Sequence, residues 1–250
     1  MSLTKRLIDE FEATEEMNNW IEDYVDIGVK EGSPEWEEGK AAYIAHVEAQ
    51  DKIWDDEQFV NDVFFLNEFG NAFSVFNSQM NIIKAELPND PPDYLIKMTY
   101  SYVVTLMETC LGDMIKRVVL SDERFLANAI SKVKELNEEK YTLSTIHATQ
   151  DFVKKSAVKW LSNQVYHNVN KTVYIYSAIL GQNVPETVNS KKGELNKIVN
   201  IRHHIVHRNG IDLEGKEVNI GITELLSSME NVHSFVQAMY TFLLYRDNPH

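Results

Sequence analysis

The residues best suited to chemistry lie together in the string 200–210, Asn-Ile-Arg-His-His-Ile-Val-His-Arg-Asn-Gly. Three histidines and two arginines fall within seven residues there, namely Arg202, His203, His204, His207 and Arg208. An imidazole has an ordinary pKa of about 6.5, so it can take or give a proton at neutral pH. A guanidinium presents a planar fork of donors that matches the oxygens of a phosphate. Together these groups are the minimal set for attacking a phosphodiester without a metal ion.

This chemistry favours RNA as the substrate. A histidine would remove the proton from a 2′-hydroxyl, and an arginine would stabilise the charge that develops on the phosphoryl oxygens. DNA lacks that hydroxyl, so it could not react in this way.

Zinc binding is the alternative interpretation of the same string. His203 and His207 are four residues apart and share a helix face, which is a spacing that zinc ligands use. However, no glutamate follows His203 as the metalloprotease pattern requires, and the two arginines add positive charge where a cation would sit. The single cysteine, Cys110, excludes a disulfide framework and a cysteine-based zinc cluster. We therefore expect no metal and no cofactor.

The elements around this string have helical periodicity. Pro88, Pro91 and Pro92 break the chain, and no proline interrupts residues 93–184 or 186–248. Further helices are expected from Asp122 to about Leu136, over 152–165, over 172–180, up to Asn209-Gly210, and from a Thr223 cap onward. The apolar stripe of the first long helix is predicted to be Leu95, Met98, Tyr102, Leu106, Cys110, Leu111 and Met114. In the last helix, Leu226 and Met229 are among the residues expected to point inward. The fold class is therefore predicted to be all-α.

Charge is distributed very unevenly along the 250 residues, whose net charge is −14. Residues 1–60 hold 17 acidic and 5 basic side chains, whereas residues 154–208 hold 9 basic side chains and 2 acidic ones. We predict an acidic helical region over 1–90 and a helical domain over 91–250. The N-terminus lacks the apolar run of a signal peptide, and no apolar run is long enough for a membrane helix, so we expect a soluble, cytoplasmic protein without a membrane partner.

The segment Arg202-His203-His204-Ile205-Val206-His207 resembles the signature of the HEPN superfamily, which is arginine, a polar residue, three further residues and histidine. The helix Ser101–Leu111 looks like the first core helix of the prokaryotic defence-type members, and the resemblance covers roughly 94–245. It implies an up-and-down helical bundle that forms a homodimer. It also implies a metal-independent endoribonuclease of toxin–antitoxin or antiviral-defence type, cleaving RNA to a 2′,3′-cyclic phosphate and controlled by an antitoxin or sensor protein.

The same resemblance assigns roles to individual residues. Arg202 would stabilise the phosphate, His207 would transfer the proton, and His203 would orient them. Because Arg202 and His207 are five residues apart, they lie about 140° apart around an ideal helix. They would converge if the arginine reached round, if the helix end unwound, or if two chains supplied them. The apolar contacts of the dimer are expected from the last helix, at Phe235, Tyr240 and Phe242.

Other residues are candidates for supporting roles. Glu108 is expected to support the arginine or to be an ordinary helix residue, and Asn209 to end the helix. His167 is a candidate for stacking on bases, whereas Tyr166 and Cys110 are expected in the core. Contacts to the RNA backbone are predicted for Lys154, Lys155, Lys159, Lys171 and Arg208. The alternative function is a catalytically inactive HEPN-like module that binds RNA or a partner protein.

Overall fold

The computed structural model describes residues 14, 17–21, 29–47, 72–148 and 151–244. The chain divides into two units, Met1–Asp62 and Val63–His250. In the first unit a helix over residues 34–47 begins at Pro34, where the missing N–H of proline costs nothing. The Ser33 hydroxyl accepts a hydrogen bond from the Trp36 N–H at 3.2 Å and so caps that helix. Trp36 is buried within this unit.

The described part of the second unit is helical, apart from a single antiparallel bridge between Ile211 and Glu217. We number its helices from Ala72 onward. They are α1 (Ala72–Glu86), α2 (Asp93–Ser121), α3 (Glu123–Lys132), α4 (Lys134–Asn137), α5 (Leu143–Ala148), α6 (Phe152–Ser162), α7 (Val169–Leu180), α8 (Glu186–Asn189), α9 (Lys192–His207) and α10 (Ile222–Leu244). The predicted all-α class is confirmed.

Helix α2 is the centre of this unit. It contacts α1, α3, α6, α9 and α10, and side chains such as Val104, Leu111 and Ile115 are completely buried. Its sequence sets both of its ends. Pro92 precedes the first turn in extended conformation, and Asp122 ends the helix while its carboxylate accepts the Arg124 N–H at 2.8 Å to start α3.

The predicted apolar stripe of α2 is right in its second half and wrong in its first. Cys110, Leu111 and Met114 are buried as expected. Met98 and Tyr102, however, are 64% and 47% exposed, and the buried residues there include Ile96, Tyr100 and Val103. The physical reason is that neighbouring helices cover α2 on a different face near its start. In α10 the inward residue is likewise Leu225, and Leu226 is exposed.

Helix α1 belongs to the packed core of the second unit. Phe73, Phe76 and Met80 are buried, and α1 lies against both α2 and α10. The proline-rich stretch 87–92 does separate α1 from α2 in the chain. The apolar face of α1 nevertheless depends on α2 and α10 for its burial, although the sequence analysis grouped this helix with residues 1–90.

The connection from α6 to α7 is held tightly against α2. The Tyr166 ring covers Gly112, where a Cβ atom would come within 2.9 Å of it. The Tyr166 hydroxyl donates to the Leu161 carbonyl at 2.8 Å, and the Thr172 hydroxyl donates to the Tyr166 carbonyl at 2.9 Å. The buried Tyr176 hydroxyl donates to the Leu111 carbonyl at 2.7 Å. These contacts fix the backbone around residue 166 relative to α2.

We predict that Gly112→Ala destabilises the protein by about 1–2 kcal/mol. The overpacking against Tyr166 outweighs the gain in helix propensity, which is about 1 kcal/mol. The matched control is Gly193→Ala in α9, where nothing lies within 4 Å of the new methyl group. Urea unfolding followed by circular dichroism gives both values. The packing argument fails if the two alanines change the unfolding midpoint equally.

Candidate active site

The histidine- and arginine-rich string forms the end of α9, and its own sequence stops the helix. The helix continues through His207, and Arg208 is its C-cap. Asn209 and Gly210 then adopt positive φ values of 52° and 78°, a conformation that asparagine and glycine tolerate best. The N–H groups of Arg208 and Gly210 both donate to the His204 carbonyl, at 3.1 and 2.9 Å. Asn209 therefore lies at the helix end, where the sequence predicts it.

A small hairpin follows and joins this helix end to α2. The Val218 N–H donates to the Gly210 carbonyl at 2.7 Å, and Ile211 pairs with Glu217. The Glu217 carboxylate accepts from Lys97 of α2 at 3.3 Å. The end of α9 is thereby placed beside the first half of α2.

Within one chain, Arg202 and His207 do not meet through unwinding, because the helix is regular over the whole interval between them. His207 instead lies near His203, with ring centroids 4.9 Å apart. Arg202 and His203 line a pocket, and His207 is not among its lining residues. Of the three ways to join arginine and histidine, unwinding of the helix end is excluded.

The pocket is open, has a volume of about 500 Å³ and lies between α9 and the α6–α7 connection. Its lining residues are mostly polar and include five carboxamides, two imidazoles, one lysine and one arginine. They are Asn163, Gln164, Val165, His167, Asn168, Lys171, Asn196, Val199, Asn200, Arg202 and His203. Such a lining is suited to a polar, anionic ligand.

Arg202 is the charged group in this pocket that lacks a counterion. Its Nε atom is buried and has no hydrogen-bond partner among the described residues. The ion pairs between described residues also leave it out. Arg202 also lines the pocket, so an anion bound there would be favoured by the charge of the guanidinium.

The surroundings of His203 favour the neutral form of its imidazole. Desolvation, followed by the nearby His207, His204, Arg208 and Arg202, holds the pKa of His203 below its ordinary value of 6.5. Each of these effects disfavours the charged form. His203 is therefore a proton acceptor at neutral pH.

Glu108 lies beside His167. The Glu108 Oε1 atom is 2.5 Å from the Nδ1 atom of His167 and also accepts the His167 N–H at 3.3 Å. Among the described residues, Glu108 does not form the hydrogen bond or ion pair with an arginine that the sequence had suggested. It contacts a histidine instead.

The predicted RNA-binding residues are spread over several elements. Lys171 lines the pocket, lies over the Trp160 ring and pairs with Glu135 at 3.3 Å. Lys154, Lys155 and Lys159 lie on α6, outside the pocket lining, and Lys154 pairs with Glu123 at 2.9 Å. Arg208 is exposed at the end of α9. The structure thus brings only Lys171 of this set to the pocket with Arg202.

Two groups of pocket residues escaped the sequence analysis. Asn196, Val199 and Asn200 precede the predicted His203 at i, i+3, i+4, i+7 spacing, so their shared helix face could have been found from the sequence. The residues from the α6–α7 connection could not, since no periodicity governs a connection. His167 was considered only for stacking on bases, and its pairing with Glu108 depends on the tertiary structure.

Other chemistry has little support in the described residues. They contain no group of three or more histidine, cysteine, aspartate or glutamate side chains placed to hold a metal ion. Cys110 is buried, as predicted, and burial raises the pKa of its thiol to about 12, so it is not a nucleophile. Tyr166 is buried, also as predicted. None of the described helices has the length and hydropathy needed to span a membrane.

The all-helical fold is the one that the resemblance to HEPN proteins implies. The sequence model of the RiboL-PSP-HEPN family matches residues 71–245, so the chain belongs to this family of the HEPN superfamily. The predicted superfamily is thus confirmed, and the match begins next to the start of α1. Searches of curated proteins and of solved structures found no match to this chain.

We predict that the imidazole of His203 titrates below pH 6.5, because desolvation and the neighbouring positive charges disfavour its protonation. Its contribution to stability is then present above pH 6.5 and is lost as the pH falls below that value, where the unfolded chain binds the extra proton. NMR titration of the ring C–H signals measures the midpoint. In Arg208→Ala the midpoint should move back toward 6.5, and a midpoint above 6.5 in the unaltered protein would contradict this account.

Proposed function

We propose that this protein is an endoribonuclease of the prokaryotic defence or toxin–antitoxin type that works without a metal ion. Membership of a HEPN family supports a nuclease or RNA-related role. The proposed reaction is attack by a 2′-hydroxyl on the adjacent phosphate, which gives a 2′,3′-cyclic phosphate and a 5′-hydroxyl. Arg202 stabilises the phosphoryl oxygens, His207 transfers a proton, and His203 orients the two groups.

The observation that supports this proposal best is the position of Arg202 in the pocket and its lack of an ion pair among the described residues. A guanidinium with no ion pair among the described residues lines an open pocket next to His203, whose pKa is held below its ordinary value of 6.5. Preorganised cationic donors aimed at developing negative charge are a major source of catalytic power. A phosphodiester in the pocket pairs with this guanidinium, and His207, the proposed proton acceptor for its 2′-hydroxyl, comes from a second copy of the chain.

One observation favours the second candidate, an inactive module that binds RNA or a partner protein. His207 is absent from the lining of the pocket that contains Arg202. Within a single chain, Arg202 therefore lines the pocket and His207 lies outside its lining. This candidate predicts RNA binding without cleavage, so the same assay distinguishes the two functions.

We predict that Arg202→Ala and His207→Ala each reduce RNA cleavage by about 10²-fold or more, because general acid–base help contributes about 10²–10⁴-fold and a lost oxyanion donor about 10²–10³-fold. His203→Ala should reduce it less. Cleavage should persist in excess EDTA and be absent on DNA of the same sequence. A fluorescent oligonucleotide assay under single-turnover conditions measures these rates.

The controls for these variants are Arg124→Ala and His147→Ala, which remove the same residue types from exposed positions on α3 and α5. Both should cleave at the unaltered rate. RNA binding with no cleavage by the unaltered protein would favour the inactive module. Loss of activity on chelation would overturn metal independence.

A symmetric homodimer would bring Arg202 of one chain near His207 of the other, and we include it in the proposal. However, the prediction that aromatic side chains of the last helix form the dimer contacts is wrong. Phe235 and Phe242 are buried in the chain's own core, and the Tyr240 ring stacks on Phe73 at 4.4 Å. These side chains are engaged within one subunit, so another surface must supply the contacts.

The apolar surface close to the motif lies on α2. Tyr94, Met98 and Tyr102 follow at intervals of four residues and are 66%, 64% and 47% exposed. The ion pair between Lys97 and Glu217 places this part of α2 beside the hairpin that follows the motif. We propose that a second copy of the chain covers this face, since isologous dimers are the commonest oligomers.

We predict that light scattering gives twice the 28.9 kDa chain mass at micromolar concentration. Met98→Glu should shift the protein toward the monomer, because it places a charge in the apolar interface. The matched control is Leu143→Glu, which alters an 84% exposed apolar side chain on α5 and should leave the dimer intact. A monomer that still cleaves RNA would contradict the composite site.

A further inference from the structure

The pocket that Arg202 and His203 line is also lined by a histidine from outside the motif. This histidine, His167, belongs to the α6–α7 connection and is paired with Glu108 of α2. We propose that His167 is a catalytic residue that donates a proton to the leaving 5′-oxygen, with Glu108 as its positioning residue. This inference rests on the proposed ribonuclease function.

The contact between His167 and Glu108 determines which ring nitrogen is free. The Nδ1 atom lies 2.5 Å from the carboxylate, and the same carboxylate oxygen accepts the backbone N–H of His167. The Nε2 atom is therefore the nitrogen left to meet a ligand in the pocket. A carboxylate that holds one nitrogen of an imidazole is a recurrent way to fix the orientation of the ring.

Both partners are partly shielded from water, which makes the contact persistent. The side chains of His167 and Glu108 are 28% and 21% exposed. The backbone next to His167 is fixed by Tyr166, whose ring covers Gly112 and whose carbonyl accepts the Thr172 hydroxyl. Gly112 is one helical turn from Glu108, so the same helix positions both the carboxylate and the connection that carries His167.

The charged surroundings of His167 come from three elements. Glu108 on α2 supplies the carboxylate that holds Nδ1 of the imidazole. Lys171 on α7 and Arg202 and His203 on α9 line the same pocket. Those side chains draw a phosphate into the pocket, where Nε2 of His167 can meet it.

The step balances without any further reagent. His207 of the motif accepts the 2′-hydroxyl proton as the 2′-oxygen forms a bond to phosphorus. The bond from phosphorus to the 5′-oxygen breaks, and the 5′-oxygen receives the proton from Nε2 of His167. The products are the 2′,3′-cyclic phosphate and a 5′-hydroxyl. A single chain would then supply both the arginine and the acid.

The test compares two substrates with different leaving groups. In an RNA oligonucleotide the leaving group is the 5′-alkoxide, which is strongly basic and needs a proton from an acid. In uridine 3′-(4-nitrophenyl phosphate) the leaving group is 4-nitrophenolate, which is weakly basic and needs none. We expect His167→Ala to lose about 10²–10⁴-fold on RNA, the usual value of general acid catalysis, and little on the nitrophenyl ester. A structural defect would lower both rates equally, so equal loss overturns the assignment.

Glu108→Ala and Glu108→Gln test the positioning role separately. The alanine variant removes the acceptor that holds Nδ1 of His167, whereas the amide oxygen of the glutamine variant can still accept a hydrogen bond from it. We expect Glu108→Ala to cleave RNA about 10-fold more slowly or worse while keeping its rate on the nitrophenyl ester, and Glu108→Gln to restore most of the rate on RNA. Equal loss on both substrates, or no rescue by glutamine, would overturn the role of Glu108. His147→Ala on α5 serves as the histidine control and should be unchanged in both assays.

The remaining outcomes separate this inference from the proposed function. If the unaltered protein cleaves RNA and His167→Ala cleaves it within about 3-fold of that rate, the assignment of His167 is wrong and the ribonuclease function stands, since a true acid contributes about 10²-fold or more. If the unaltered protein cleaves neither substrate, the proposed function fails and this assignment fails with it.

Discussion

The burial of α2 is the constraint on which the rest of the second unit depends. The helices α1, α3, α6, α9 and α10 pack against it, Tyr176 of α7 hydrogen-bonds to it, and several of its side chains are fully covered. Close packing of this kind tolerates little change in volume, so each neighbour has a defined position along the helix. Gly112 shows the effect in one residue, because the absence of a Cβ atom lets the Tyr166 ring lie directly on the helix. The packing against α2 therefore determines the positions of the segments that contact this helix.

The candidate site depends on this packing on both of its sides. On one side, Tyr166 carries the neighbouring His167 to the carboxylate of Glu108. On the other side, α9 lies against α2 and presents Arg202 and His203 to the same pocket. The pocket residues belong to segments more than twenty residues apart in the chain, yet their arrangement follows from two sets of contacts with a single helix.

Electrostatics explains how a chain of net charge −14 can hold a site for an anion. The basic excess of residues 154–208 is partly neutralised by carboxylates of α3 and α4, as in the pairs of Lys154 with Glu123 and Lys171 with Glu135. Such partly exposed pairs contribute only about 0–1 kcal/mol each, so a phosphate can replace the carboxylate at little cost. Arg202 differs from these lysines because no described carboxylate faces it. An anion that bound beside it would therefore displace no carboxylate of the described residues.

The sequence by itself determined the helical class, the superfamily, the end of α9 at Asn209-Gly210 and the burial of Cys110, since periodicity, capping and motif spacing are local properties of the chain. Local periodicity also misled where it was weak, as at Met98, Tyr102 and Leu226, because the face of a helix that becomes buried depends on which neighbours cover it. Only the tertiary structure decided that Glu108 meets His167, that the pocket includes Arg202 and His203 but not His207, and that Phe235 and Phe242 belong to the core. Each of these facts joins segments that are distant in the chain, and their distances are set by side-chain packing, which no single segment encodes.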